Sequence, residues 1–542
     1  MKQKTKGYLA FAFLGGILLT STVLFALPPP PAIMTEEEAA MEEQGITITN
    51  TPMDNFPDDQ RATFCGIGEP KSTSYVKEYQ IPTVCTQPLA IKVTPDGNVW
   101  FVESNVGQIA KFNPVTEKFT EFENELWPEN ARTMSWGMDY SSDGALWYTD
   151  GSFDTIWRFD IIDKTYEAVS YPVTSEEGSL PQKLSIHGSN IIVNDFTGSK
   201  ITFFDLSQNI DELTYSSIVA PIPDSFTGDF AIDSQNNLWY TNWVANSSIM
   251  DNLGLLLKFN VEKYEQDSYL ASTGMDIPLE NYFEVYDFHQ DLNIANGLSI
   301  DENDNIWIVD TTSSFFFKFD PVTEKFTKFV TSTPQKSTYG NTTGIIKSPI
   351  SRPYWTQTDM NGNLFFNEQT SNQLAAFDID NSQLVEYMVP SKNPNWADCI
   401  DKSDSNCGVA QIFGFDVSDG KIWFTEWVEN KIGVVDLKKS LPFSVTPNID
   451  SVTLAKGETK TILLTIDSLS DVDEINFNSA HTASTVTTSS DIQISHTMDQ
   501  INEITVYVTA SQVALSGDYK LLLGVYNPEV TVSKYIDITI EP

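Results

Sequence analysis

The chain has 542 residues, with 74 acidic and 32 basic side chains, so its formal charge at pH 7 is −42. This length is enough for two or three domain cores, and the negative charge disfavours nucleic acid and anionic lipid as partners because both would be repelled. Aromatic residues make up 12% of the chain, and with frequent Asn, Asp, Gly and Thr they favour a β-rich protein with many turns.

The amino terminus carries three lysines, then an apolar run from Tyr8 to Leu27, four prolines and an acidic stretch. Twenty apolar residues suffice to cross a bilayer as a helix, and the lysines before the run place the bulk of the chain outside the cell. We predict a membrane anchor or signal segment at 1–34 and an acidic linker at 35–75. An uncleaved anchor predicts a single-pass protein of the cell membrane with an extracytoplasmic bulk, and a cleaved signal predicts a secreted protein.

Four cysteines agree with export. Cys65 and Cys85 bracket the start of the folded region, and Cys399 and Cys407 lie in one polar loop. Neither pair has the C-x-x-C spacing of a zinc site, and no histidine lies near either pair in the sequence. We therefore predict two disulfides, Cys65–Cys85 and Cys399–Cys407.

One hairpin motif occurs seven times between residues 76 and 440. Its second strand reads VWFVE, LWYTD, IIVND, LWYTN, IWIVD, LFFNE and IWFTE, and successive copies lie 45 to 68 residues apart. Each copy follows an apolar strand and a tight turn, and most copies precede two further strands. Repeats of four antiparallel strands are typical of a β-propeller, so we predict seven blades.

The strand at Val76–Pro82 has no repeat before it, and the last repeat, ending near Asp436, lacks a fourth strand. We predict that this strand completes the last blade and that the Cys65–Cys85 disulfide secures the closure. Residues 441–542 alternate in polarity and contain no tryptophan, which predicts an immunoglobulin-like β-sandwich. The predicted class is all-β: a seven-bladed β-propeller (76–440) followed by this sandwich (441–542), with an N-terminal transmembrane helix.

The blade segments DGNVWFVE…GQIAKF and GKIWFTEWVENKIGVVD resemble the streptogramin (virginiamycin B) lyase family, whose members repeat DGxxWFTExxxNKIGRI around a seven-bladed propeller. The resemblance covers about Val76 to Asp436. It implies a carbon–oxygen lyase that uses magnesium and two histidines, each opening an inner strand. None of the matching positions here is a histidine, which argues against lyase activity because the elimination needs a base. These positions are Leu89, Trp136, Asp229, Asn296, Tyr354 and Phe413.

The segment NGLSI at Asn296–Ile300 is similar to one in gluconolactonase-like propellers, where an asparagine helps to bind a divalent cation at the channel mouth. This second resemblance implies a lactonase-like, metal-dependent hydrolase with Asn296 as a ligand of Ca²⁺ or Mg²⁺. The alternative interpretation is that Asn296 caps a turn.

The last residue of strand two is acidic in six repeats and asparagine in one. Strand order places all seven on one face, which we call the top face: Glu103, Asp150, Asp195, Asn242, Asp310, Glu368 and Glu426. Occurrence in nearly every blade favours a structural role, in which each carboxylate accepts backbone hydrogen bonds from the next turn. The alternative is a Ca²⁺ or Mg²⁺ site with candidate ligands Asn296, Asp310, Glu368, Glu426 and Glu103.

Long connections are predicted on the same face, including the insert from Glu262 to Ile294 and the cysteine loop. Two of them carry glycosylation sequons, at Asn246 and Asn341. Long loops on a rigid scaffold usually carry binding functions. The sequence therefore predicts a membrane-tethered, cell-surface recognition module with an unidentified ligand at its top face, and lyase or hydrolase activity is the alternative.

Overall fold

The computed structural model describes residues 56, 58–66, 68–128, 131–172, 179–210, 213–222, 225–244, 253–271, 278–287, 292–335, 338, 350–359, 361–401, 406–468, 475–483, 491–500 and 502–542. The predicted membrane segment lies outside these residues, as do both sequon asparagines, Asn246 and Asn341. Within the described ranges, no helix is both long and apolar enough to cross a membrane.

The described chain begins with helix α1 (Asp58–Phe64) and strand β1 (Val76–Gln80). Blades one to three follow, each given from the channel outward. They are β2 (Pro88–Val93), β3 (Val99–Glu103), β4 (Gln108–Asn113) and β5 (Lys118–Phe122); β6 (Met138–Tyr140), β7 (Ala145–Asp150), β8 (Thr155–Asp160) and β9 (Tyr166–Ser170); and β10 (Pro181–His187), β11 (Asn190–Asp195), β12 (Lys200–Asp205) and β13 (Tyr215–Val219).

Blades four to seven have the same order. They are β14 (Ser225–Ile232), β15 (Leu238–Val244), β16 (Leu253–Phe259) and β17 (Phe283–Asp287); β18 (Ala295–Ile300), β19 (Ile306–Asp310), β20 (Phe315–Asp320) and β21 (Lys325–Val330); β22 (Pro353–Thr358), β23 (Asn363–Glu368), β24 (Gln373–Asp378) and β25 (Gln383–Met388); and β26 (Ile412–Ser418), β27 (Lys421–Glu426) and β28 (Lys431–Asp436). A 3-10 turn at Pro394–Trp396 precedes the last blade.

The blades form a closed ring. Each inner strand contacts the inner strands of both neighbouring blades, and β2 of the first blade contacts β26 of the last. Strand β1 pairs antiparallel with β28, from Val76 opposite Val435 to Gln80 opposite Lys431. The predicted closure by the amino-terminal strand is therefore confirmed, and both predicted disulfides are present.

An aspartate sets the hairpin turn between the first two strands of a blade. In blade five, Asp301 accepts a hydrogen bond from the backbone N–H of Asn305 at 3.0 Å and from the indole N–H of Trp307 at 2.8 Å. In blade four, Asp233 likewise accepts a hydrogen bond from the indole N–H of Trp239 at 2.8 Å. This contact explains why aspartate and tryptophan recur six positions apart in these blades, and it makes the turn rigid.

The insert from Glu262 to Ile294 does not lie on the top face as predicted. Most of it, including helix α2 (Val261–Ala271) and a 3-10 turn (Leu279–Tyr282), connects strands β16 and β17. A connection between the third and fourth strands of a blade lies on the opposite, bottom face. The prediction missed this because the fourth strand, β17, lies inside the insert and lacks the strand-two motif on which the repeats were aligned.

The carboxyl-terminal residues form two more sheets. Their strands are β29 (Phe443–Pro447), β30 (Ser451–Leu454), β31 (Thr459–Ser468), β32 (Asn476–His481), β33 (Ile492–Gln500), β34 (Glu503–Ala510), β35 (Gly517–Tyr526) and β36 (Val530–Ile540). One sheet has the order β29-β31-β34-β33, and the other contains β30, β32, β35 and β36. The all-β prediction is confirmed, and the immunoglobulin-like topology and the domain boundaries stay predictions.

The second of these sheets continues directly into the propeller. Strand β36 pairs with β25, the outer strand of blade six, from Gln383 opposite Lys534 to Tyr387 opposite Val530. Nearby, the hydroxyl of buried Tyr535 donates a hydrogen bond to a propeller carbonyl, at Val330, over 2.7 Å. The carboxyl-terminal residues are therefore packed as part of the propeller's outer wall, a contact that the sequence did not predict.

Candidate functional site

The acidic side chains that end strand two are completely buried. The three aspartates have the predicted structural role. Asp150 accepts a hydrogen bond from the backbone N–H of Ser152 at 3.0 Å, and Asp310 accepts one from Thr312 at 3.0 Å. Asp195 is bonded to the following turn in the same way. These carboxylates fix the loops between the second and third strands.

The three glutamates differ from the aspartates, because each has a second glutamate from the outer strand of its own blade beside it. Burial raises the pKa of each, and the neighbouring carboxylate raises it further. The pairs are Glu103 with Glu121, Glu368 with Glu386, and Glu426 with Glu78. The end of strand two therefore carries buried, proton-binding carboxyl groups in blades one, six and seven.

The pair in blade six is the most isolated from hydrogen-bond donors. One oxygen of Glu386 accepts a bond from the backbone N–H of Ser332 at 2.9 Å, and burial raises the pKa of Glu386 to about 7. Among the residues that the structure describes, none donates to either oxygen of Glu368 in hydrogen-bonding geometry. The hydroxyls of Thr331 and Ser351 lie close enough to lower the pKa of Glu368 somewhat, but burial dominates and raises it well above its ordinary range.

The candidate cation ligands come from four different blades. Asn296 and Asp310 belong to blade five, and Glu368, Glu426 and Glu103 to three other blades. Among the described residues, no three His, Cys, Asp or Glu side chains lie close enough together to hold a metal ion. Asn296 does not cap a turn, because it lies inside β18, where its buried Oδ1 accepts no hydrogen bond from the described residues.

Six inner strands share a β-bulge at the level of the family's histidine positions. In blade one, the pairing of strands one and two shifts between Pro88 and Ile91, and five other blades shift at the matching place. The next blade approaches the bulge closely. A Cβ on Gly297 would lie only 2.7 Å from the carbonyl oxygen of Tyr354. The glycine of the NGL segment is therefore explained by packing between blades.

The residue before the terminal acid links a blade to the bulge of the next one. The hydroxyl of Thr425, in blade seven, donates a hydrogen bond to the carbonyl of Leu89, in blade one, at 2.8 Å. Asn367, in blade six, donates to the carbonyl of Ile412, in blade seven, at 2.6 Å. The recurrent Thr-Glu or Asn-Glu pair at the end of strand two is thus an element of the architecture.

Aromatic side chains fill the upper end of the channel. We call this group the aromatic plug: Trp136, Tyr354, Trp355, Phe413 and Trp427. Its members are buried, and the centroids of its contacting rings are 4.9 to 6.5 Å apart. Three members occupy positions that match the lyase family's histidine segments. These positions therefore contribute hydrophobic packing, and none of the five side chains is a general base at neutral pH.

The amino-terminal segment covers the plug. The ring centroid of Phe64, at the end of α1, lies 5.7 Å from that of Trp396 and 6.1 Å from that of Trp427. The indole N–H of Trp396 donates a hydrogen bond to the carbonyl of Thr63 at 2.7 Å. The Cys65–Cys85 disulfide joins this segment to the start of blade one. The channel is therefore closed at the top by the chain itself.

A cavity of about 320 Å³ lies below the plug, between the inner strands. One residue of each inner strand contributes to its wall. It is the residue whose partner in strand two is Trp100 in blade one and the residue at the matching position in the other blades: Trp147, Ile192, Trp239, Trp307, Phe365 or Trp423. We call these residues the channel belt: Lys92, Asp139, Ser185, Ala231, Ser299, Gln357 and Asp416. The belt residues lie at the same level in every blade, but the size and charge of their side chains differ from one blade to the next.

On one side of the channel, belt residues of neighbouring blades form ion pairs with one another. Lys92 lies with its Nζ 3.0 Å from Asp139 and 3.9 Å from Asp416. Burial lowers the pKa of Lys92, but the two carboxylates outweigh that effect and raise it to about 12. Asp139 also accepts a bond from the backbone N–H of Ile186, and Asp416 one from Val93, each at 2.8 Å. These contacts hold adjacent inner strands in register.

A second ion pair lies in the cavity wall. Lys183 has its Nζ 3.3 Å from the buried carboxylate of Asp229 and 4.9 Å from the ring centroid of Trp355. Burial raises the pKa of Asp229, and the charge of Lys183 opposes that rise. Asp229 also accepts the backbone N–H of Leu298, in the next blade, at 3.3 Å. This ion pair therefore links blades three, four and five.

Comparison with known proteins finds matches among solved structures. Virginiamycin B lyase from Staphylococcus aureus is 18% identical, over 68% of this chain and 100% of that chain, with a TM-score of 0.46. A streptogramin B lyase structure is 18% identical, over 66% and 96%, with a TM-score of 0.47. A putative gluconolactonase is 8% identical, over 56% and 88%, with a TM-score of 0.33. No family model and no curated protein matches the chain.

These matches confirm the suspected resemblance to streptogramin lyase-like and gluconolactonase-like propellers. The likeness concerns the arrangement of the blades and extends to no activity. The sequence had already shown which side chains replace the histidines, but it did not show that three of them, Trp136, Tyr354 and Phe413, pack together. The aromatic character of these three was the one signal that could have predicted the plug.

Proposed function

We propose that the propeller is a cell-surface recognition module that binds its ligand through the top-face loops and performs no elimination. The observation that supports this proposal most directly is that the upper end of the channel is closed. A lyase needs a base within reach of the proton it removes, whereas Tyr354 and Phe413 are buried in the aromatic plug. Phe64, at the end of helix α1, packs against Trp427 of the same plug. Substrate would have to displace the chain's own amino-terminal segment to reach these positions.

The sequence features that predict export support this proposal. The apolar run Tyr8–Leu27 follows three lysines, and the two disulfides suit an oxidising compartment outside the cytoplasm. The top face also offers an accessible apolar contact. Ile400, in the cysteine loop, is 85% exposed, and it is held near the propeller by the Cys399–Cys407 disulfide.

The first test separates binding from catalysis. The full-length protein in detergent is incubated with a streptogramin B antibiotic and a panel of lactones, with and without added Mg²⁺ or Ca²⁺. We expect no turnover above the rate without protein. Saturable turnover that EDTA abolishes would overturn the proposal.

The second test locates the binding face. The same protein is screened on glycan and peptide arrays, and any ligand found is titrated against Ile400→Ser and the matched control Val322→Ser. Val322 is 92% exposed, but it lies in a bottom-face turn of blade five. We expect Ile400→Ser to weaken binding about tenfold and Val322→Ser to leave it unchanged. Equal affinities for both variants would contradict a top-face site around the cysteine loop.

A metal-dependent hydrolase is the second candidate, and one observation favours it. The Oδ1 of Asn296 is buried and accepts no hydrogen bond among the described residues, so a cation could use it as a ligand. Calorimetry with Ca²⁺ and Mg²⁺ on the wild type and Asn296→Ala tests this candidate. Tight stoichiometric binding that is lost in the variant would favour the hydrolase over the recognition module.

A further inference from the structure

The channel belt has an open side. Its members from three consecutive blades are small, namely Ser185, Ala231 and Ser299, whereas the remaining four carry long or charged side chains. Because the three small residues are adjacent around the ring, the space they leave is continuous. The cavity below the plug is therefore asymmetric, with a bonded wall on one side and a notch on the other.

Two hydroxyl groups in the cavity wall have no partner among the described residues. They are the Oγ of Ser299 and the Oγ1 of Thr356, which belong to residues 7% and 5% exposed. A buried polar group that lacks a hydrogen bond costs about 1 to 3 kcal/mol. Neither oxygen has accessible surface in this conformation, so each side chain must turn towards the cavity to be used. A bound molecule with hydroxyl groups would then recover part of this free energy, since a hydroxyl both donates and accepts.

The charges of the cavity wall are already engaged with one another. Lys92 contacts Asp139 and Asp416, and Lys183 contacts Asp229. An entering anion would have to separate a lysine from its carboxylate, and an entering cation would compete with the lysines. A neutral molecule would leave both groups of ion pairs intact.

We propose that this cavity binds a small, neutral, polyhydroxylated molecule such as a monosaccharide or polyol, seated in the notch. About 320 Å³ is near the lower end of the range for small-molecule pockets. The indole of Trp136, in the cavity's upper wall, offers an apolar surface for the C–H groups of such a ligand. This site is separate from the top-face loops, so it does not depend on the proposed recognition function.

The test is a titration of the full-length protein, by calorimetry and ligand-observed NMR, with glucose, myo-inositol and glycerol as neutral probes and with acetate and choline as charged probes. The informative variants are Ser185→Val and Ser299→Val, which narrow the notch, and Ser299→Ala, which keeps the space but removes a hydroxyl. Ser216→Val is the matched control, because Ser216 is exposed on the outer strand of blade three.

We expect at least one neutral probe to bind saturably, with affinity reduced at least tenfold by both valine variants, severalfold by Ser299→Ala and not at all by Ser216→Val. Absence of saturable binding by every neutral probe would overturn the proposal. Neutral-probe binding that the valine variants leave unchanged would overturn it too, because the ligand would then lie elsewhere. Stronger binding of acetate or choline at the notch would refute the neutral-ligand argument.

Discussion

Replacing Glu386 with glutamine should change how the stability of the protein depends on pH. Burial raises the pKa of Glu386 from 4.5 to about 7, so the folded state holds this proton more tightly than the unfolded state. The resulting stabilisation is fully present below the unfolded pKa of 4.5 and is lost as the pH rises through about 7. One pKa unit corresponds to about 1.4 kcal/mol, which makes the loss about 3 kcal/mol over this interval.

Glutamine has nearly the same shape as a protonated glutamate, but it cannot lose the proton. We expect Glu386→Gln to match the wild type near pH 4.5 and to be more stable by up to about 3 kcal/mol at pH 8. The side chain lies beside Glu368. Burial raises the pKa of Tyr535, and both carboxylates raise it further. Tyr535 lies on β36, the strand that pairs the carboxyl-terminal sheet with blade six. We therefore expect Glu386→Gln to stabilise the contact between the carboxyl-terminal sheet and blade six.

Differential scanning calorimetry of the full-length protein from pH 4.5 to 8 measures the effect as a difference in Tm between variant and wild type. Glu503→Gln serves as the control, because this glutamate is exposed on the carboxyl-terminal sheet, and we expect its Tm difference to stay constant. If the Tm difference for Glu386→Gln were equally constant, the pKa of Glu386 would not be raised in the folded protein, and the prediction would be refuted.

Three further predictions concern the contacts that join separate parts of the chain. Tyr535→Ala removes a buried ring and the hydrogen bond to Val330, so calorimetry should show a loss of about 3 to 5 kcal/mol, whereas Tyr535→Phe should cost only about 1 kcal/mol. Thr425→Val removes the bond to the Leu89 carbonyl and keeps the side-chain volume, so urea unfolding should show a loss of about 1 to 3 kcal/mol; no loss would contradict a role in linking blades. Cys85→Ser breaks the first disulfide, so limited proteolysis should cleave the amino-terminal segment faster while the propeller core stays intact, and equal cleavage rates would show that packing alone holds the segment.

The local pattern of the sequence determined the blades. The alternation of strand two, the tight turns and the terminal acid are features of single hairpins, and their seven repeats predicted both the number of blades and the closing role of β1. The missing histidines could also be read directly, because each position is marked by its own blade motif. The disulfide pairs were predictable since each joins cysteines at most 20 residues apart.

Only the tertiary structure decided how the channel and the outer wall are built. The aromatic plug, the channel belt and the open notch each combine residues from several blades, and Thr425 and Leu89 are 336 positions apart. Strand β36, near the end of the chain, pairs with β25, the edge strand of blade six. The sequence of an edge strand does not show which strand will pair with it. Such contacts arise from ring closure and packing, so no period in the sequence reports them.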